Sequence, residues 1–170
     1  FLYARREMQH LLEPLVVSWG WGDNSPYTTG SDFLDNLEWW GTKDSSAYLA
    51  VPAAIKFMED HDWPDVQRNC HAILKEAILS ICDFTGLDPM YPENSDLYNQ
   101  MAAVPLPHIN DLPAFQAQLY DRYRIEVPCI QWEDMQFIRI SIQGYNTWSD
   151  SRYLVNALKE TLPERAARDY

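Results

Sequence analysis

The stretch Phe137–Ile142, F-I-R-I-S-I, says most about the fold of this chain. Successive side chains of a β-strand point to opposite faces of the sheet. The three isoleucines therefore share one face, and Phe137, Arg139 and Ser141 share the other. The pattern predicts a strand with an apolar face turned to a core and an opposite face that carries an arginine.

Further elements are predicted on both sides of this strand. M-A-A-V-P-L at 101–106 and Y-R-I-E-V-P-C at 123–129 are both predicted to be strands. Asp111 is predicted to cap a helix between them, and Thr147-Trp148-Ser149-Asp150 has the capping-box pattern of a last helix. The order strand, helix, strand, strand, helix predicts a small α+β domain with helices packed on one face of a small sheet.

Two long helices are predicted before Met101. Between Asp62 and Gly86 apolar residues recur at spacings of three and four, which predicts an amphipathic helix with one buried face. Its apolar residues are Val66, Cys70, Ile73, Leu74, Ala77, Ile78 and Ile81. Between Ser45 and Asp60 the residues are apolar almost all round. That helix is therefore expected to be buried on nearly every side and kinked at Pro52.

The first part of the chain carries weaker signals. Phe1–Arg5 reads like the middle of a strand, and Glu7–Leu12 is predicted to be a short helix. Val16–Gly22 fits either a strand or a glycine-punctuated turn. Residues 23–32 have the composition of a loop. Because a short strand needs neighbours to pair with, we expect this chain to be the C-terminal part of a longer protein.

Composition excludes several classes of function. The 170 residues, 46% of them hydrophobic, suffice for one packed domain, or for a small domain with part of another. The net charge of −12 argues against nucleic acid and anionic membranes as partners. No apolar run approaches the roughly 20 residues of a membrane-spanning helix. The histidines and cysteines lack the spacing of a metal site, and the three cysteines fit a reducing cytoplasm.

A candidate anion site lies in E-W-W-G-T-K-D-S-S at 38–46. Gly41 and Thr42 offer exposed amides and a hydroxyl just before a helix that Asp44 is predicted to cap. Lys43 adds a positive charge, and Trp39 and Trp40 could form one wall of a pocket. The alternative is an ordinary turn, because Gly-Thr is common before helices.

Arg139 is a second candidate. A guanidinium binds a carboxylate through two parallel hydrogen bonds, which fix the orientation of the bound acid. The alternatives are an exposed arginine of a strand and an ion pair within the chain.

These two segments together resemble the class V aminotransferase family. The resemblance rests on W-W-G-T-K-D-S-S-A-Y at 39–48 and R-I-S-I-Q-G-Y-N-T at 139–147, and it extends over nearly the whole chain. The closest likeness is to the isopenicillin N epimerase-like branch. The resemblance implies a fold type I enzyme dependent on pyridoxal 5′-phosphate (PLP), with an α/β fold like that of aspartate aminotransferase.

The resemblance also implies roles for particular residues. Gly41 and Thr42 would contact the PLP phosphate of the neighbouring subunit in a homodimer, and Arg139 would hold the α-carboxylate of an amino acid or amino-acid-containing peptide. Residues 1–61 would end the large PLP-binding domain, and residues 62–170 would form the small C-terminal domain. The chemistry would be epimerisation or racemisation, with elimination and transamination left open.

One departure from the family pattern affects catalysis. The lysine that forms the Schiff base precedes, in the family, the segment that Phe1–Tyr3 resembles. The chain therefore holds no catalytic residue of its own and is expected to be inert alone, because Lys43 is a poor substitute. Two alternatives stay open. One is a cysteine desulfurase-like enzyme using Cys129, and the other is a non-catalytic interaction domain that kept the fold.

Overall fold

The computed structural model describes residues 2–22, 28–38, 41–92 and 95–162. The chain divides into two compact units, Phe1–Phe57 and Met58–Tyr170. The sequence predicts a boundary between the large and the small domain after residue 61, and this boundary stays a prediction.

The first unit contains only short elements. A 3₁₀ helix spans Arg6–Leu11, and helix α1 spans Asp32–Glu38. The sequence did not predict α1. Residues 2–5 form no strand, contrary to expectation, and Phe1 and residues 23–27 lie outside the described ranges. The Trp21 amide donates to the Ser18 carbonyl at 3.0 Å, so the glycine-rich segment is a turn and not a strand.

The apolar helix predicted at 45–60 is interrupted and exposed. Helix α2 spans Ser46–Leu49, Ala50 separates it from α3, and α3 spans Val51–Asp60 with Pro52 in its first turn. The expected kink is thus a break two residues before the proline. The expectation of burial is wrong for this chain, since every residue of α2 and α3 is exposed.

The first helix that lies wholly in the second unit is the long helix α4, Trp63–Thr85. Its predicted apolar stripe is confirmed, and its members from Cys70 to Ile81 are buried while Val66 is partly buried. Gly86 ends the helix with φ +73°, and its amide donates to the Cys82 carbonyl at 2.8 Å. A left-handed residue is the usual end of a helix, and glycine adopts it without strain.

A three-stranded antiparallel sheet forms the second layer of this unit. Its strands are β1 (Met101–Leu106), β2 (Cys129–Trp132) and β3 (Met135–Ser141), in the spatial order β1-β3-β2. Helix α5, Leu112–Tyr123, is capped by Asp111, whose carboxylate accepts from the Ala114 amide at 2.9 Å. Helix α6, Trp148–Thr161, begins with the predicted capping box of Thr147 and Asp150.

One predicted strand was misplaced. Residues 123–129 were expected to be extended, but α5 continues to Tyr123 and Arg124 ends it with φ +56°. The strand starts at Cys129 instead, and a two-residue turn, Glu133-Asp134, leads from β2 into β3.

Helices cover one face of the sheet, as predicted. The even-numbered residues Ala102, Val104, Ile138 and Ile140 point into a core that they share with α4, α5 and α6. The small domain is therefore α+β, and the opposite sheet face carries the odd-numbered residues of β1 and β3 together with Ile130 and Trp132 of β2.

Candidate functional site

Arg139 lies on the sheet face opposite the core. It is in the central strand β3, directly across from Ala103 of β1, and its side chain is exposed. Its backbone amide donates to the Pro128 carbonyl at 3.0 Å. Within the described ranges its guanidinium forms no ion pair. The five donors of this guanidinium are therefore available to a ligand.

Apolar side chains share this face of the sheet with Arg139. Phe137, the next residue on the same face of β3, is buried with 5% of its surface exposed. Met101, Ile130, Trp132 and Met135 are exposed on the same three strands. The arrangement can hold an anion by two hydrogen bonds while offering apolar surface to the rest of the molecule.

Gly41 and Thr42 form an exposed bend. Gly41 has φ +102°, which favours glycine, and a Cβ built there would meet no atom within 4 Å. No hydrogen bond joins the Thr42 hydroxyl to another described residue. Both residues thus keep open backbone and hydroxyl groups. Trp39 and Trp40, the expected pocket wall, lie outside the described residues.

The residues after this bend are already engaged. The Lys43 ammonium lies 3.4 Å from the Glu38 carbonyl oxygen and 5.1 Å from the ring centroid of Tyr48. The Asp44 carboxylate accepts from the backbone amide and the hydroxyl of Ser46, both at 2.9 Å.

These bonds limit where an anion could bind. The backbone hydrogen bond and then the hydroxyl hydrogen bond from Ser46 lower the pKa of Asp44. Since α2 has four residues and its first amide is occupied, helix α2 adds little to an anion site. Such a site would depend on Gly41 and Thr42 themselves.

Asp35 is a structural centre that sequence analysis missed. It is buried at 7% exposure, and its carboxylate accepts from the hydroxyls of Thr28 and Thr29, each at 2.7 Å, and from the Thr29 amide at 2.8 Å. The Thr29 bonds, followed by the Thr28 bond, lower the pKa of Asp35 below its usual value. The only signal in the sequence was the spacing of Thr-Thr and Asp, which is too general to predict this arrangement.

Cys129 has the surroundings of a packed residue. It begins β2, across from Ile138, and is half-buried. Burial raises the pKa of its thiol to about 11, so the thiol is protonated at neutral pH. It is the first residue of β2 and does not lie in the turn between β2 and β3. These features favour packing over the role of a sulfur-transferring nucleophile.

Comparison with known proteins finds similarity to two isopenicillin N epimerases. The chain is 32% identical over 167 residues to an isopenicillin N epimerase of Amycolatopsis lactamdurans, covering 94% of this chain. It is 27% identical over 166 residues to the isopenicillin N epimerase of Streptomyces clavuligerus, covering 93%. The chain is isopenicillin N epimerase-like. It spans 42% of the length of each of these relatives. No family model matches the sequence.

A partial structural likeness was also found for this isopenicillin N epimerase-like chain. The crystal structure of 8-amino-7-oxononanoate synthase from Francisella tularensis aligns with a TM-score of 0.37 and 18% sequence identity. The alignment covers 54% of this chain and 28% of the synthase.

The described residues include neither a metal-binding cluster nor a membrane-spanning helix. They contain no group of three or more histidine, cysteine, aspartate or glutamate side chains able to hold a metal ion. Among the helices of the described ranges, none is both long and apolar enough to cross a membrane.

Proposed function

We propose that this chain forms part of a cytoplasmic, homodimeric PLP-dependent epimerase that acts on an amino acid or an amino-acid-containing peptide. The observation that carries the proposal is the similarity to two isopenicillin N epimerases over 94% and 93% of the chain. The finer assignments, that the enzyme is of class V and that the reaction is epimerisation, belong to the same proposal.

Arg139 is proposed to bind the substrate α-carboxylate. Its side chain is exposed and forms no ion pair with a described residue. The alternative role of Arg139, an ion pair within the chain, is therefore not found among the described residues. The planar guanidinium would fix the carboxylate and so orient the α-carbon and its proton.

Gly41 and Thr42 are proposed to contact the phosphate of PLP in the neighbouring subunit. The residues fit this role because the bend at Gly41 leaves space at its Cβ position and the Thr42 hydroxyl is exposed. When bound, PLP withdraws electrons from the α-carbon, which makes removal and return of its proton possible. The part played by this bend is to hold the phosphate in place.

The chain alone is proposed to be inert. Schiff-base formation needs a lysine amine free to react. The Lys43 ammonium is engaged by the Glu38 carbonyl and the Tyr48 ring, and Lys159 lies 5.7 Å from the ring centroid of Phe84. A lysine outside this chain would serve as the anchor.

The test replaces Arg139 by lysine in the PLP-bound enzyme that contains this chain. The charge remains but the planar fork is lost, so kcat/KM should fall by about 30- to 1000-fold, or about 2–4 kcal/mol. The retained PLP and the melting temperature should hardly change. Arg152→Lys, at an exposed position of α6, is the matched control and should leave kcat/KM unaltered.

A second variant separates the two roles. Thr42→Ala should weaken retention of PLP during dialysis, and added PLP should restore activity. If Arg139→Lys lowers the melting temperature and leaves kcat/KM unchanged, Arg139 is a structural residue and the substrate assignment is wrong.

A further inference from the structure

The outer edge of strand β2 is open to another strand. Because the spatial order is β1-β3-β2, β2 pairs with β3 on one side only. Among the residues that the structure describes, no strand lies on its other side. An open edge presents backbone groups to which an extended peptide can bond.

The alternation of hydrogen bonds along β2 shows which of its backbone groups point away from β3 and are available to another strand. The Arg139 amide bonds to the Pro128 carbonyl, so Ile130, two residues later, also points its backbone groups to β3. Cys129 and Gln131 then point theirs outward. The Cys129 amide donates to the side-chain oxygen of Gln116 at 2.8 Å. The Cys129 carbonyl and both backbone groups of Gln131 have no hydrogen bond to a described residue.

A groove runs beside this edge. It has a volume of about 700 Å³ and lies between α5 and residues 125–131. Its apolar walls include Leu112, Ala117, Tyr120, Ile125 and Val127. The side chains of a strand paired to β2 would alternate between this groove and the opposite face, where Ile130 and Trp132 are exposed.

The charged residues around the groove favour a basic peptide as its ligand. Glu126 is the charged residue that lines it, and the adjoining turn adds Glu133 and Asp134, all exposed. Arg124 also lies beside the groove, with its guanidinium 5.8 Å from the ring centroid of Tyr120. Acidic groups thus outnumber basic ones here, as they do in the whole chain with 25 acids against 13 lysines and arginines.

We propose that the edge of β2 binds an extended basic peptide as a fourth strand. Lysine or arginine side chains of the peptide enter the groove at alternate positions, where their aliphatic parts contact the apolar walls and their charges face Glu126. The apolar side chains between them pack on Ile130 and Trp132. In the free chain the side-chain oxygen of Gln116 accepts from the Cys129 amide. The Gln116 side chain moves away when a carbonyl of the peptide takes its place.

The test measures binding of the peptide acetyl-Val-Lys-Val-Lys-Val-Lys-amide to the 170-residue chain by Trp fluorescence and by amide NMR shifts. The control peptide carries N-methyl groups at alternate residues, which block strand pairing and leave the protein untouched. The unmodified peptide should shift the Gln131 amide and bind at least about tenfold more tightly than the methylated one. Equal binding of the two peptides, or shifts confined to other regions, overturns the proposal.

Protein variants sharpen the result. Gln131→Pro removes an outward amide but no bond to β3, so it should keep the melting temperature and reduce affinity at least about fivefold. Gln116→Ala should tighten binding because the competing acceptor is gone. If sedimentation instead shows a dimer of this chain that Gln131→Pro dissolves, the edge pairs with a second copy and the peptide proposal is wrong.

Discussion

Different interactions stabilise each of the two units of the chain. The second unit has a core of buried apolar side chains drawn from α4, α5, α6 and the sheet. In the described part of the first unit no apolar side chain is buried, and the buried residues are Gly20 and Asp35. The first unit thus lacks an apolar core in its described part: most of its apolar side chains are exposed, Phe33 and Leu37 are half-buried, and its buried polar centre is the Asp35 carboxylate.

Two helices show the same contrast. Helix α4 has its apolar residues on one stripe, and that stripe is buried. Helix α3 is apolar on most sides, yet Val51, Ile55 and Phe57 are all more than half exposed, at 52%, 52% and 53%. An apolar stripe indicates where a helix packs within its own chain, whereas apolar residues on all sides indicate only that some partner surface is needed.

The largest difference is expected for one substitution made in both helices. Ile73 in α4 is fully buried, whereas Ile55 in α3 is 52% exposed. Ile73→Ala should lower the free energy of unfolding by about 2–5 kcal/mol, because it leaves a cavity. Ile55→Ala should lower it by about 0.5 kcal/mol or less. Urea denaturation followed by circular dichroism measures both, and equal losses would remove the contrast.

The N-terminal residues of α6 and α2 should likewise differ in how much they stabilise the chain, with the larger contribution in the second unit. The Thr147 side chain takes part in a capping box at α6, whereas the Ser45 side chain makes no cap hydrogen bond at α2. Thr147→Ala should cost about 1 kcal/mol and Ser45→Ala about a few tenths. The same denaturation experiment measures the two values. A larger loss for Ser45→Ala would show that α2 is held more firmly than its exposure indicates.

Asp35 should make the first unit sensitive to acid. Hydrogen bonds from Thr29 and Thr28 lower its folded-state pKa, so its contribution to stability is present above the unfolded pKa, about 3.9, and is lost as pH falls through the folded value. Proteolysis near residues 28–38 should accelerate below about pH 4. Asp35→Asn should remove most of that pH dependence, with Asp32→Asn, at an exposed position, as control.

The smallest effect on stability is expected on the surface of α2 and α3. The double variant Leu49→Lys, Ile55→Lys replaces exposed side chains, so the free energy of unfolding should change by about 0.5 kcal/mol or less. We expect the exposed apolar surface of α2 and α3 to promote self-association of the chain. The double variant should weaken this association, as sedimentation velocity would show. Glu59→Lys makes the same total charge change and is the control. If it acts equally, net charge and not apolar contact governs association.

Local signals in the sequence predicted much of the second unit. The stripe of α4, strand 101–106, the Asp111 cap and the capping box at Thr147 all involve residues close together in the chain. Strand β2 was misplaced because Ile125 and Val127 alternate like strand residues. Only the geometry at Arg124 and the turn at Glu133-Asp134 shows that pairing begins later.

The candidate site was predictable only in part. Alternation placed Arg139 on the face opposite the isoleucines, and the structure agrees. The burial of Phe137 on that same face and the three hydrogen bonds of Asp35 depend on contacts between separate segments, which no local pattern reveals. Exposure of α3 likewise depends on what surrounds it.

The three free cysteines provide the second unit with its own reporters of opening. Cys70 and Cys82 lie on α4 with 1% and 7% exposure, whereas Cys129 is half-buried at the sheet edge. A thiol reagent can modify Cys70, in the middle of α4, only while this helix has separated from the core, but a small local movement exposes Cys129. The ratio of the labelling rates therefore measures how often the whole layer opens relative to its edge, without any substitution in the chain.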